Sequence, residues 1–469
     1  MSRPDRLAPL TAGMTGAPAA PPEDPPVWTG SSPTLDALET ELRGTADPVP
    51  YSPSPLARFA MTWRDTVWLT LMFLTPLLTY GGNLGFSVLM AAAGLASLAV
   101  VPPERRRSVG MALLFGLLLL ACASSAWSVW RPDLARLDKP RNIQGLTAFK
   151  LVFQLALYGS VVAAMVAVRR AAAKLGLTVL AVGLALVVAV VMIEFVGSER
   201  IYLGIKAALH QTARPDLARR NIARAFYPLA LLVWPVGLHL WRQGGRWRAL
   251  AVFLLVGSMG GAGAFRVDAP FLALVAGGVA VAAVLRFGRP AVIGGMAATI
   301  AYVLLAPLAF VGHGAAGLAA SGSAVAKASW GARLDIWRFT AGLIEQRPFL
   351  GWGLDASRSF PGLIPLHPHD AALQIWLELG AVGAGLVATF FAWMFVRIEL
   401  LRLRDPPLAA AAAGSLCGYL VIGALSFGVW QEWWLALGAL TLVVFAALRN
   451  ARRLRRPASP ADQFAVISG

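Results

Sequence analysis

Two histidines separated by one proline offer acid–base chemistry. In Leu366-His367-Pro368-His369-Asp370, either imidazole could take a proton from a hydroxyl near neutral pH. Asp370 suits the N-cap of a helix beginning at Ala371. His369 then sits at the positive end of that helix, where the dipole favours neutral imidazole and the Asp370 charge opposes it. Asp370, Gln374 and Glu378 recur at i, i+4 and i+8. They form a polar stripe that must face protein or water rather than lipid. No third ligand stands at a metal-like spacing from the two histidines, so no metal and no cofactor is expected.

A second set of residues offers anion binding. Arg219, Arg220 and Arg224 lie in Arg219-Arg220-Asn221-Ile222-Ala223-Arg224, and Arg266 lies in Gly263-Ala264-Phe265-Arg266-Val267-Asp268. A guanidinium presents planar paired donors to phosphate oxygens. Arg224 is expected about one turn inside an apolar helix, where a lone cation is costly unless it meets an anion. Arg219 and Arg220 serve equally well as cations reaching to lipid headgroups, and Arg266 as a local partner of Asp268. Arg333 and Trp337 share one face of a short amphipathic segment, 333–346, with Leu334 and Ile344. Cation–π stacking or interfacial anchoring explains that pair, and the segment could lie flat on lipid. Gly351-Trp352-Gly353 lacks the Lys-Ser/Thr of a phosphate loop and reads as a turn.

The elements that must hold these groups are membrane spans. Of the 469 residues, 57% are hydrophobic and 14% charged. A soluble domain carries about 25% charged residues, so a water-soluble enzyme or secreted binding domain is excluded. The net charge of +17 is assigned to Lys and Arg in cytoplasmic loops rather than to nucleic-acid binding. A span needs about 20 mostly apolar residues, which gives about twelve candidates. They are 65–82, 85–101, 108–127, 147–168, 175–197, 222–241, 248–265, 270–286, 290–311, 371–396, 408–427 and 431–448. Every second connection is short and basic, as in Arg105–Arg107, Arg169–Arg170 and Arg397–Arg404, which places both termini in the cytoplasm. The expected organisation is a disordered cytoplasmic tail over 1–62, spans one to nine over 63–311 and a periplasmic loop over 312–370. Spans ten to twelve follow over 371–448, and a basic tail over 449–469. Cys122 and Cys417 sit in apolar runs and read as small hydrophobes.

Together these features resemble the O-antigen ligase and polymerase superfamily of bacterial envelopes. The resemblance rests on about twelve spans with a large outer loop between the ninth and tenth. It rests also on Arg333-x-x-x-Trp337 followed by Pro348-Phe349-Leu350-Gly351-Trp352-Gly353, and on His367-Pro368-His369-Asp370 leading into Leu373-Gln374-x-Trp376-Leu377-Glu378-Leu379-Gly380. It covers roughly residues 65–450 and excludes the tail. The family commonly has Asn where this chain has Asp370, which bears on the tuning of His369. The resemblance implies an all-α polytopic membrane protein with a GT-C-like fold in the bacterial inner membrane. It implies metal-independent, inverting transfer of a glycan from undecaprenyl diphosphate to an acceptor sugar hydroxyl of lipid A core, at the periplasmic face. The partners implied are that donor, that acceptor or another glycan, and membrane lipids, without nucleic acid. His369, or else His367, would be the base; Arg224 and Arg266, with Arg220 and Arg219, would hold the diphosphate. Asp370, Gln374, Glu378, Arg333, Trp337 and Arg338 would support them. A polysaccharide polymerase using the same donor is the alternative, and a flippase of lipid-linked sugars is the alternative of another class.

Overall fold

The computed structural model describes residues 54–102, 108–132, 146–212, 214–310 and 328–452. The arginines at 105–107, most of the tail over 1–62, and residues 312–327 of the expected outer loop lie outside them. The described residues are helical with no strand. In chain order the helices are α1 Pro55–Gly81, α2 Gly85–Ser97, α3 Val109–Ser124, α4 Thr147–Met165 and α5 Arg170–Gly197. Then come α6 Arg200–Ala208, α7 Pro215–Ala223, α8 Phe226–Gln243, α9 Arg246–Ala264 and α10 Asp268–Phe287. The last five are α11 Arg289–Leu305, α12 Ala328–Gln346, α13 Ala371–Arg402, α14 Pro406–Leu425 and α15 Glu432–Arg452.

Every expected span meets a helix, but the helices are not equal. Nine among the described residues are long and apolar enough to cross a membrane; α2 with its 3-10 extension to Val100, and α3, are apolar but shorter. The 16 residues of α3 reach about 24 Å, against a hydrocarbon layer of about 30 Å. Helix α1 stands apart because it carries Arg64 and a buried Asp65 that is ion-paired to Arg169. It starts at Pro55, inside the stretch assigned to the tail, and α15 likewise runs on to Arg452.

The interior is built where small and large side chains alternate. The largest apolar cluster joins Trp68 and Met72 of α1, Phe86 of α2, Leu177–Val191 of α5, Phe226–Leu240 of α8 and Leu437–Leu448 of α15. Helices α10 and α14 meet backbone to backbone: a Cβ at Gly277 would lie 2.9 Å from the Gly414 carbonyl oxygen. Small residues permit such contact, which in lipid replaces the hydrophobic drive for packing. Large apolar side chains such as Phe73, Val88 and Val279 remain on the outside, as a lipid-solvated surface requires.

Helix α12 forms across the expected amphipathic segment, but its apolar face does not lie on lipid. Ile336, Trp337, Leu343 and Ile344 are buried against Ile364, Ala372, Leu373 and Leu377. Protein covers this face because the chain after α12 folds back across it before entering α13.

Candidate active site

Helix α13 carries the histidine end of the site, and its break explains the Gly-rich motif before it. Gly380 has φ 62° and ψ −160° inside the helix. The break frees helix carbonyls and amides, which cannot be left bare in an apolar layer. The loop after α12 satisfies them: the amides of Trp352 and Gly353 donate to the carbonyls of Leu377 and Glu378 at 2.8 and 2.9 Å. The amides of Ala381 and Val382 donate back to Pro348 and Phe349 at 2.8 and 3.3 Å. A Cβ on Gly380 would sit 2.3 Å from the Phe349 oxygen, so the sequence has glycine there for both conformation and space. Gly351-Trp352-Gly353 is thus a structural splice, consistent with its reading as a turn.

The polar stripe on α13 faces protein. The Asp370 side chain caps the helix, accepting from the Leu373 amide at 2.9 Å, and also accepts from the Tyr302 hydroxyl at 3.1 Å. Gln374 donates to Glu378 at 3.0 Å and accepts from the Val429 amide at 2.9 Å. Glu378 is fully buried and also accepts from the Asp355 amide, the Ser357 hydroxyl and Trp430 Nε1. One carboxylate therefore fastens α13, the loop before it and the α14–α15 turn into a single block.

That block fixes the two histidines differently. His369 is half-buried, with a left-handed backbone at φ 61°. Its Nδ1 lies 2.9 Å from the Ser426 carbonyl oxygen. A carbonyl can only accept, so Nδ1 carries the proton and neutral His369 holds its lone pair on Nε2. His367 is buried, and its Nδ1 accepts from the His369 amide at 3.2 Å. Its Nε2 lies 3.3 Å from the Gln431 side-chain nitrogen, so both ring nitrogens face N–H donors and its single lone pair is occupied whichever nitrogen holds it. The two rings lie 4.3 Å apart. Burial, with the neighbouring His369 and Arg358 adding to it, pushes the His367 imidazole down to about 3. Burial also lowers His369 below the usual imidazole range; the Ser426 carbonyl opposes this and Arg333 adds to it. Burial raises Asp370 to about 6 against the donors from Leu373, Tyr302 and Ala372.

Trp337 and Arg333 sit otherwise than their spacing implies. Trp337 is buried and donates to the Pro368 carbonyl at 2.8 Å, pinning the histidine loop from above. Arg333 stacks over Trp330 at 5.2 Å instead. Arg338 pairs with Asp335 at 3.3 Å.

The arginines of the expected anion site are placed separately. Arg224 is exposed rather than buried; it sits at a two-residue turn of helical φ/ψ between α7 and α8, within the apolar stretch Pro215–Gln243. Arg220 is also exposed. Tyr227 packs edge-on against Phe427 at 4.6 Å, next to the Ser426 that holds His369. Arg219 is engaged elsewhere, over Phe195 at 4.8 Å and Phe265 at 5.5 Å, and it donates to the Ala264 carbonyl at 3.4 Å. Arg266 is exposed at φ 55° in the α9–α10 turn and lines a cavity of about 320 Å³ with Gly263, Asp268 and Phe271. Asp268 in the same turn accepts from Trp330 at 3.3 Å. No contact joins Arg266 directly to the other arginines among the described residues. Ser426, Gln431 and Trp430, which meet the histidines and Glu378, are not singled out by sequence, because they lie in a turn with no periodic pattern.

Residues 253–388 match the family model described as O-Antigen ligase. That stretch of the chain is similar to the O-antigen ligase family. That stretch contains Arg266, Arg333, both histidines and the α13 stripe, and ends before the α14–α15 turn; Arg219–Arg224 precede it. The "Putative polysaccharide ligase" of Rickettsia prowazekii is 33% identical over 130 residues, covering 25% of this chain and 32% of that protein. The similarly named protein of Rickettsia conorii is 31% identical over 130 residues, covering 25% and 31%, and that of Rickettsia typhi 32% identical, covering 25% and 32%. The chain therefore spans about a third of the length of the curated relatives it matches.

Proposed function

We propose that the protein transfers a glycan from undecaprenyl diphosphate to a sugar hydroxyl of lipid A core, at the periplasmic face of the bacterial inner membrane. The observation that carries this reading is the fixed tautomer of His369: Nδ1–H is tied to the Ser426 carbonyl, and Nε2 is left to accept a proton, with the Arg333 charge acting on the ring. The acceptor O–H proton passes to His369 Nε2 as the oxygen attacks the anomeric carbon. The bond from that carbon to the diphosphate oxygen breaks, and its electron pair leaves with the phosphate. Arg220, Arg224 and Arg333 stabilise the charge that develops there, with Arg266 reaching from the neighbouring turn. Attack opposite the leaving group inverts the anomeric centre. His367, with its lone pair occupied, orients His369 rather than serving as base.

Two further features support a surface reaction over a charged route through the bilayer. Glu378 is held by four donors, and Glu194 accepts from Tyr80 and from the Ile201 and Tyr202 amides, so neither carboxylate is available to a passing solute. The names of the relatives favour a ligase over a polymerase. The test is transfer of a labelled glycan from lipid diphosphate to lipid A core by purified protein in detergent. His369→Ala and Arg224→Ala should each abolish transfer, and turnover should survive chelation. Full activity in both variants would refute the assignment; transfer only to a second lipid-linked glycan would make the enzyme a polymerase.

A further inference from the structure

Glu194 is a carboxylate that the proposed reaction does not touch. It is fully buried near the C-terminal end of α5, where an ionised group is costly unless donors surround it. The Tyr80 hydroxyl, at the end of α1, donates to it. So do the amides of Ile201 at 3.1 Å and Tyr202 at 2.5 Å, in the first turn of α6. Between α5 and α6 the chain reverses through Ser198 and Glu199, both left-handed at φ 56° and 62°, a strained conformation for residues other than glycine. By holding the first amides of α6, Glu194 secures that reversal and sets where Tyr202 stands.

Tyr202 carries the constraint to the arginines. Its hydroxyl accepts from Asn221 Nδ2 at 3.1 Å, and Asn221 directly follows Arg220 in α7. The turn after α1 reaches the same place: buried Asn83 donates from Nδ2 to the Arg224 carbonyl at 3.1 Å. Arg219 holds a further side of α7, stacked over Phe195, the residue after Glu194. None of these fastenings uses the guanidinium of Arg220 or Arg224. Those two are four residues apart, one helical turn, and both are exposed. Like charges at that spacing repel, and an anion between them relieves the repulsion.

We infer that Glu194 is a positioning residue for the anion-binding arginines, acting through Tyr202 and Asn221 to fix how α7 presents Arg220 and Arg224. The inference rests on the proposed reaction for the role of those arginines and the identity of their anion. A clamp placed in advance gives up less freedom when its anion arrives, so the effect falls on affinity as well as on rate.

The test uses the full chain in detergent, with inorganic pyrophosphate titrated by calorimetry, alongside the glycan-transfer assay. Tyr202→Phe keeps the ring and the amide that Glu194 accepts from, and removes only the oxygen that meets Asn221. Pyrophosphate affinity should fall about five- to tenfold, the scale of one hydrogen bond. Glu194→Gln turns an acceptor into a donor facing the α6 amides; it should weaken binding at least as much and lower the melting midpoint. Where that variant does not fold, Tyr202→Phe decides. In the Arg220→Ala, Arg224→Ala background, Tyr202→Phe should lower transfer no further, since the groups it places are gone. A merely structural role would instead give wild-type affinity in folded Tyr202→Phe, or the same proportional loss of transfer in both backgrounds, and either result would overturn the inference. Absence of pyrophosphate binding by the wild type would overturn it too. Binding that Tyr202→Phe weakens, in a protein that transfers no glycan, would uphold the inference and sink the proposed reaction instead.

Discussion

The two halves of the candidate site are built on opposite rules. Around α13, polar atoms are closely partnered: Asp370, Gln374 and Glu378 between them engage Tyr302, Ser357, Trp430 and the amides of Asp355, Leu373 and Val429. On the α7 side, Arg220, Arg224 and Arg266 are exposed, and the ion pairs among the described residues leave them out. A general base must be aimed before substrate arrives, because misplacement costs rate. A cation clamp must stay uncommitted until its anion arrives, because an internal carboxylate would compete with the substrate. Order on one side and unpaired charge on the other follow from those two tasks.

The sharpest way to break this contrast is to loosen the ordered half. Glu378→Ala leaves its donors stranded, each at about 1–3 kcal/mol if none finds another partner. We expect the largest loss of thermal stability of any single substitution here, with transfer lost as well; an unchanged melting midpoint in detergent would show that the block is not what holds the loop. Gly380→Ala should cost less but still several kcal/mol, on the order of the strain of a left-handed residue plus a clash. It can be read by the same melting curve.

The uncommitted half should respond in the opposite way. Replacing Arg220 and Arg224 together by Ala should leave the melting midpoint within about a degree, since exposed unpaired cations contribute little to stability. Transfer should nevertheless fall by about 100-fold or more, the scale of losing transition-state charge stabilisation. Destabilisation by this pair would mean the arginines are structural and would erase the contrast.

The pH dependence sharpens the division further. A base whose pKa is lowered is neutral, and competent, throughout the neutral range. The rate should therefore be level between about pH 7 and 8 and fall only as the pH drops below the usual imidazole value of about 6.5. Loss of rate centred above that value would contradict the buried environment of His369. Stability should also decline in acid through His367: its folded pKa lies near 3, below its unfolded value, so the stability it contributes is full above about 6.5 and is lost as pH falls. Asp370 has the reverse sign. With its folded pKa raised to about 6, its protonated form is favoured on folding, and that stability is lost as the pH rises through about 6.

The smallest expected effect is at this cap. Asp370→Asn can still accept from Leu373 and Tyr302, so stability at pH 7.5 should be unchanged or slightly higher and transfer retained; Asp370→Ala should cost about 1 kcal/mol. Equal behaviour of the two variants in calorimetry would show that the cap carries no weight.

Several of these features are legible in one dimension because they are local. The span positions follow from apolar run length, the Asp370 cap from one residue's place before a helix, and the 370/374/378 stripe from helical periodicity. Their partners come from distant segments and leave no periodic trace. The Arg333–Trp337 spacing is compatible with a stacked pair, yet Trp337 turns to Pro368 and Arg333 to Trp330, since burial of the indole against the returning loop outweighs a solvent-exposed contact. The burial of Arg224 is misjudged for a related reason: hydropathy registers the apolar run but not which of its residues other segments cover, and this guanidinium is left exposed.

By itself, then, the order of residues determined that the chain partitions into lipid, where its helices fall, and which groups could move a proton or bind an anion, because transfer free energy and helix geometry act over a few turns. Only the tertiary structure decided that His369 rather than His367 keeps a lone pair to offer, and that Glu378 meets donors from the loop before α13 and from the α14–α15 turn. A tautomer and a meeting of side chains depend on which carbonyl or ring folding brings alongside, and that is settled by packing among segments far apart in the chain.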